Sequence, residues 1–262
     1  MEITFLKYQG AGNDFILLDN RDRKYSSLNK NLISKLCDRR FGIGADGLML
    51  LENHPDYDFQ MHYYNADGGL GSMCGNGGRC IVAFAHHLKI IETETNFLAV
   101  DGPHYAKITQ NPFVVELQMI DVEEFRIDKE ATILNTGSPH YVLPVVDLPS
   151  FNVYEKGRDI RYNDEFKAQG INVNFCEWKN NILKVRTYER GVEDETFACG
   201  TGVTAAAMAH ALKHQLEGDI DTKISVLGGE LNVKFKKTGN RFTSVFLIGP
   251  AELVFKGTIN II

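Results

Sequence analysis

The stretch CGNGGRCIVAFAHHLK, residues 74–89, is written a second time in this chain as CGTGVTAAAMAHALK, residues 199–213. The two copies match at Cys-Gly-x-Gly and again at Ala-His-x-Leu-Lys, with one residue gapped. The segments downstream of them match as well. TNFLAVDGPHYAKITQNPFVVELQMIDVEEF, ending at Phe125, and TKISVLGGELNVKFKKTGNRFTSVFLIGPAELVF, ending at Phe255, both alternate apolar and polar residues between Gly, Pro or Asn turns. That pattern predicts a strand meander. Upstream, YQGAGNDFILLDN (8–20) and NTGSPHYVLPVVD (135–147) each set a glycine-containing turn before an apolar strand. A similarity at fixed offset is the mark of a repeated architecture, so two halves of one plan are expected, meeting near residues 119–130.

Each half then offers strands, one central helix and further strands. After Cys199 the residues Val203, Ala205–Ala207, Met208, Ala209, Ala211 and Leu212 make a helix apolar on nearly every side, which implies burial all round. Ile81 to Leu88 read the same way. The predicted fold class is α+β: two pseudo-symmetric domains from an internal duplication, each a curved, mostly antiparallel sheet wrapped around a central helix. The expected division is 1–119 with Cys74 and 120–251 with Cys199. A further helix is expected within SLNKNLISKLCDRR, residues 27–40.

Composition narrows the function. The chain has 262 residues, 44% hydrophobic and 24% charged, with a net charge of −6. It lacks the basic excess that nucleic-acid or anionic-membrane binding requires. No apolar run approaches the roughly 20 residues of a membrane span, and the start MEITFLKYQG has no basic region followed by an apolar stretch, so no leader peptide is expected. A cytoplasmic location and a small-molecule partner are expected. Five cysteines at irregular spacing do not make a disulfide framework. Cys37, Cys80 and Cys176 are read as structural.

A cysteine directly before Gly-x-Gly at a helix start is placed for chemistry. The first helical turn leaves about four backbone N–H groups without partners and carries roughly half a positive charge. A thiolate or a substrate carboxylate is stabilised there, and the glycines admit a ligand close to the backbone. One such thiol can be packing. Two in matching positions are what inversion at a carbon centre needs, because a single base returns its proton to the face it came from.

Seven segments carry a specific resemblance: GAGNDF (10–15), GIGADG (42–47), NADG (65–68), MCGNGGRC (73–80), SPHYV (138–142), INVNF (171–175) and YERGVEDETFACGTG (188–202). In order and spacing they resemble the diaminopimelate epimerase family. The resemblance implies a cofactor-independent epimerase interconverting LL- and meso-2,6-diaminopimelate, on the route to lysine and peptidoglycan. It implies Cys74 and Cys199 as the two bases, one entering as thiolate and the other as thiol, with no metal. It further implies that the last strand, near 252–262, returns to the first domain, and that the protein is a homodimer.

Carried over by motif position, Gly75, Asn76, Gly200 and Thr201 hold the reacting carboxylate, with Asn13 close by. Asn65, Asn172, Glu189 and Arg190 grip the distal amino-acid group, while His140, Glu189 and Ser138 support the thiols and the substrate contacts. Ser138 stands where many members have asparagine, Gly47 where many have glutamine, and Gln9 where histidine is frequent. Three other readings stand beside this one: a proline or hydroxyproline racemase, a thiol-based redox or metal module, and a non-catalytic amino-acid binder.

Overall fold

The computed structural model describes residues 1–71, 73–109, 111 and 113–261. Two compact units result. One comprises residues 1–117 and 249–262, the other residues 118–248.

The first unit begins with a hairpin. Strands β1 (Glu2–Gly10) and β2 (Asn13–Asp19) are antiparallel. The turn between them is Ala11-Gly12, both at positive φ (53° and 89°), as a tight hairpin turn requires. Helix α1 (Lys30–Cys37) then crosses over to β3 (Gly47–Glu52), which lies parallel to β2. Asn29 caps α1 by accepting from the Leu32 N–H, and Asp38 accepts from the N–H groups of Arg40 and Phe41 beyond its end. The helix is therefore shorter than the 27–40 window. β4 (Phe59–Asn65) returns antiparallel to β3. Helix α2 (Gly75–His87) crosses to β5 (Glu94–Ala99), parallel to β4. β6 (Gly102–Ile108) and β7 (Val114–Gln118) complete an antiparallel meander.

The second unit repeats this order. β8 (Phe125–Asp128) pairs antiparallel with β9 (Ala131–Asn135), and β9 with β10 (Pro139–Pro144). Helix α3 (Val153–Arg161) crosses to β11 (Asn172–Lys179), parallel to β10. β12 (Ile182–Glu189) returns antiparallel and pairs with the short β13 (Asp194–Thr196). Helix α4 (Gly200–Lys213) crosses to β14 (Gly218–Val226), parallel to β12. β15 (Gly229–Thr238) and β16 (Arg241–Pro250) form the meander. The chain then comes back to the first unit, where β17 (Glu252–Asn260) runs antiparallel along β1. β17 thus stands to β1 as β8 stands to β9.

Within each unit one helix is central and one is outside. α2 buries every residue from Gly75 to Ala85, and α4 all of Gly202 to Ala209; neither has a polar face to turn to water. α1 packs Ile33, Leu36 and Cys37 on a cluster with Ile3, Phe5, Ile16, Leu18 and Leu48. α3 packs Val153 on Val173, Phe175 and Tyr188. The sequence reading missed α3, a mostly charged segment with Gly157 in its middle. That glycine is required, because a Cβ there would overlap the Tyr188 side chain. Among the described residues no helix is long and apolar enough to cross a membrane.

Candidate active site

Cys74 and Cys199 are the N-cap residues of α2 and α4, each in extended conformation (φ −111° and −118°). Neither caps its helix through a side-chain hydrogen bond. Cys74 is half-buried and Cys199 buried. The other three thiols differ: burial pushes Cys37, Cys80 and Cys176 up to about 12, so all three stay protonated at neutral pH.

Around α2 a polar chain runs outward from a buried guanidinium. Arg79 Nη2 donates to Asn76 Oδ1 (2.9 Å), and Asn76 Nδ2 donates to Asn13 Oδ1 (2.5 Å). Asn13 Nδ2 in turn donates to Asp46 Oδ2 (2.9 Å). Arg39 bridges Asp46 and Asp14, each at 2.7 Å, and Lys7 pairs with Asp14 at 2.7 Å. Burial alone would raise the Asp14 carboxyl, but the bonds from Arg39 and Lys7 bring it down to about 2. Asn76 and Asn13, taken from separate motifs of the sequence, are thus in direct contact. Asn65 ends β4, where its backbone closes a turn with Gly68 and Gly69, at 2.8 and 2.9 Å.

Around α4 the chain is neutral and ends on the sulfur. Thr187 Oγ1 donates to Asn174 Oδ1 (2.9 Å), and Asn174 Nδ2 lies 3.0 Å from His140 Nδ1. An amide N–H can only donate, so Nδ1 accepts and the ring proton sits on Nε2. Nε2 lies 2.9 Å from Thr201 Oγ1, which lies 3.5 Å from Cys199 Sγ. Thr201 Oγ1, which accepts from His140, thus links the ring to the sulfur. Complete burial, and secondarily the charge of Arg190, pushes His140 down to about 3; the ring is neutral and fixed in this tautomer. Gly202 is needed here, because a Cβ would overlap Asn174 Oδ1.

A third group lies between β10, β11 and the turn after β12. Asn172 Nδ2 donates to Ser138 Oγ (2.9 Å) and to the Pro139 carbonyl (3.1 Å), while its Oδ1 accepts from Arg190 N (2.9 Å). Arg190 Nη2 also reaches Ser138 Oγ (3.3 Å). Ser138, where the sequence departs from the family pattern, therefore accepts from two of the four residues expected to hold the distal end of the substrate, Asn172 and Arg190. Glu189 Oε2 accepts from Thr196 Oγ1 (2.8 Å), which fixes the orientation of its carboxylate.

Sequence reasoning assigned no role to Asn174, Thr187, Arg79 or Asp46. Asn174 carried a usable signal, since it sits two residues from Asn172 on the same strand and so faces the same side. The others act through contacts that no local pattern records: Thr187 with Asn174, Asp46 with Asn13, and Arg79 with Asn76 and the Pro250 carbonyl. Among the described residues no three His, Cys, Asp or Glu side chains are grouped to hold a metal ion.

Two duplicated units of this topology make a class of fold that solved structures share, a phenazine biosynthesis protein and a hydroxyproline epimerase among them. A Bacillus anthracis phenazine biosynthesis protein of the PhzF family superposes with a TM-score of 0.78 over all of both chains at 12% identity. A hydroxyproline epimerase from Agrobacterium vitis superposes at 0.70, covering 98% of this chain and 92% of that one, also at 12% identity. At such identities the fold alone is shared. Sequence narrows the class: the diaminopimelate epimerase family model matches residues 5–117 and 132–254. Curated proteins named diaminopimelate epimerase are similar over nearly the whole length. The Flavobacterium psychrophilum one is 52% identical over 97% of this chain and 98% of its own. That of Chlorobaculum tepidum is 42% identical over 96% and 99%. The chain belongs to the diaminopimelate epimerase family.

Proposed function

We propose that this enzyme interconverts LL- and meso-2,6-diaminopimelate by proton transfer between two cysteines, serving lysine and peptidoglycan precursor synthesis. The observation that carries the mechanism is the repeated device: a cysteine at the N-cap of a buried helix opened by Gly-x-Gly, once in each unit. One thiolate removes the α-proton and the other thiol delivers a proton to the opposite face. The pair titrates as a coupled unit, with the roles exchanged in the reverse direction.

A positioned acid or base contributes about 10²–10⁴-fold, roughly 3 to 5 kcal/mol, whereas enzymes lower barriers by about 8 kcal/mol or more. The remainder is assigned to the helix N-termini. Backbone donors at Gly75, Asn76, Gly200 and Thr201 stabilise the charge that builds on the reacting carboxylate as the proton leaves. Asn13 keeps Asn76 oriented. Arg190 takes the distal carboxylate, while Glu189, Asn172 and Asn65 take the distal ammonium, an inventory that matches a zwitterion. His140 and Ser138 orient Thr201 and Arg190 respectively.

The test is proton NMR of LL-diaminopimelate in D₂O with reduced protein, a chelator and no added cofactor. Loss of the α-proton signal with appearance of the meso isomer is expected. Exchange of proline or hydroxyproline instead would transfer the assignment to the racemases. The proposal includes a homodimer. Its support is the exposed apolar run Leu253, Val254 and Phe255 on β17 (37%, 55% and 45% exposed); Leu253 and Phe113 also line a groove by the C-terminal end of α2. Sedimentation equilibrium of wild type and Phe255→Glu checks it, with a monomeric wild type as the contrary result.

A further inference from the structure

Among the described residues four long charged side chains are buried, and three are matched. Lys7 pairs with Asp14, Glu52 with Arg23, and Lys237 with Glu217. The fourth is Arg79, fully buried (0% exposed). Its donors go to neutral acceptors: Nε to the Pro250 carbonyl (3.3 Å), Nη1 to the Gly75 carbonyl (3.3 Å) and Nη2 to Asn76 Oδ1 (2.9 Å). Among the described residues no carboxylate lies within ion-pair distance of it. A guanidinium does not release its proton in a protein, and a buried charge is retained only with compensation.

Burial pushes the Arg79 guanidinium down from its ordinary value, and the charges of Cys80 and Cys74 act against that shift. Cys80 is held at about 12 by burial even beside this cation, so it supplies no anion at neutral pH. Cys74 remains. Two of the three acceptors of Arg79, Gly75 and Asn76, form the helix turn that Cys74 caps. Resting on the reading of Cys74 as an acid–base group, we infer that Arg79 is a positioning residue that holds Cys74 as the thiolate. It does so by supplying an unneutralised positive charge beneath the first turn of α2.

The other charged and titratable groups near that turn do not supply it. Lys7 of β1 and Arg39 are spent on Asp14 and Asp46, and Tyr8 of β1 is pushed up to about 12 by burial and by Cys80. The second copy underlines the difference. Thr204, fifth after Cys199 as Arg79 is fifth after Cys74, donates Oγ1 to the Gly200 carbonyl (2.9 Å). It satisfies the corresponding carbonyl without carrying a charge. The bond to the helix carbonyl is common to both copies, whereas the cation belongs to the first alone.

Iodoacetamide alkylation as a function of pH, read separately at Cys74 and Cys199 by mass spectrometry, tests the inference on the intact enzyme. In the wild type Cys74 must react with a midpoint below the ordinary thiol value of about 8.5. A midpoint at or above that value overturns the inference without any variant. An opposite charge nearby moves a pKa by about 1 to 3 units, so Arg79→Gln should raise the Cys74 midpoint by about one unit or more. It should also shift the acidic limb of kcat/KM in the same direction. Arg79→Lys, which keeps the charge and loses the fork, should recover most of the shift, and the Cys199 midpoint serves as the internal reference for an intact fold. Equal shifts in Gln and Lys variants, or none in either, would make Arg79 a brace and nothing more. Failure of the two-base mechanism would instead be read as undiminished substrate exchange in Cys74→Ser, which the alkylation profile does not involve.

Discussion

A cysteine at an N-cap is an uncommon choice, since Ser, Thr, Asp and Asn all cap better through their oxygens. Neither Cys74 nor Cys199 makes a side-chain capping bond; Cys199 Sγ instead meets Thr201 Oγ1 at 3.5 Å. Replacing either by serine should leave the fold intact, because one small side chain of the same shape takes its place. Epimerisation followed by NMR or coupled assay should fall by about 10²–10⁴-fold; near-normal turnover in either variant would sink the two-base mechanism. Thr201→Val removes the hydroxyl between His140 and Cys199. A hydrogen bond to a charged group is worth about 1.5–3 kcal/mol, so kcat should fall by roughly 10- to 100-fold in steady-state assays. The neutral ring of His140 gives a pH signature. It titrates near 6.5 in the unfolded chain and at about 3 in the folded one. Between those values the unfolded state binds the extra proton, so this residue's share of stability is full above about pH 6.5 and is lost as the pH falls. In urea titrations the advantage of wild type over His140→Gln should therefore shrink by about 2 to 3 kcal/mol between pH 7.5 and 4.5. A constant difference would mean that the ring titrates in the native state as it does in the unfolded chain.

At the level of elements, α2 and α4 are fixed by glycines whose reasons are local. A Cβ at Gly202 would overlap Asn174 Oδ1, and one at Gly77 would overlap the Met49 methyl. The two cases should separate experimentally. Gly77→Ala meets the far end of a flexible methionine and should cost little, whereas Gly202→Ala displaces the amide that holds His140. The second should lower stability by about 1 to 3 kcal/mol in denaturant melts, and activity with it. These two helices, and the meanders after them, were legible in the sequence because their signals are strong: paired cysteines and glycines, apolar runs and period-two alternation. α3 was not, since its charged residues and central Gly157 carry little periodic signal and its place is set by the Tyr188 side chain it rests on. The site divides in the same way. Motif residues such as Asn13, Asn76 and Asn172 could be picked out singly, while Arg79, Asn174 and Thr187 matter through partners 3 to 171 residues away in the chain.

At the level of the whole chain, duplication is read most plainly from the crossovers. β2–α1–β3 and β10–α3–β11 are parallel pairs joined by an outer helix, and β4–α2–β5 and β12–α4–β14 are parallel pairs joined by a central one. The exception is the edge: β8 precedes the strand it pairs with, while β17 reaches β1 after an excursion through the second unit. Removing residues 252–262 should expose the backbone of β1 along its length and bare Phe5, which packs edge-on against Phe255 at 5.8 Å. Such a truncation should aggregate or melt at lower temperature in calorimetry, with the first unit failing ahead of the second. A ribosome makes about 5–20 residues per second, and residues 118–248 must emerge before β17 does. For roughly 7 to 26 seconds of every synthesis, the nascent first unit waits with an open strand edge, in the state most prone to pair with a neighbouring chain.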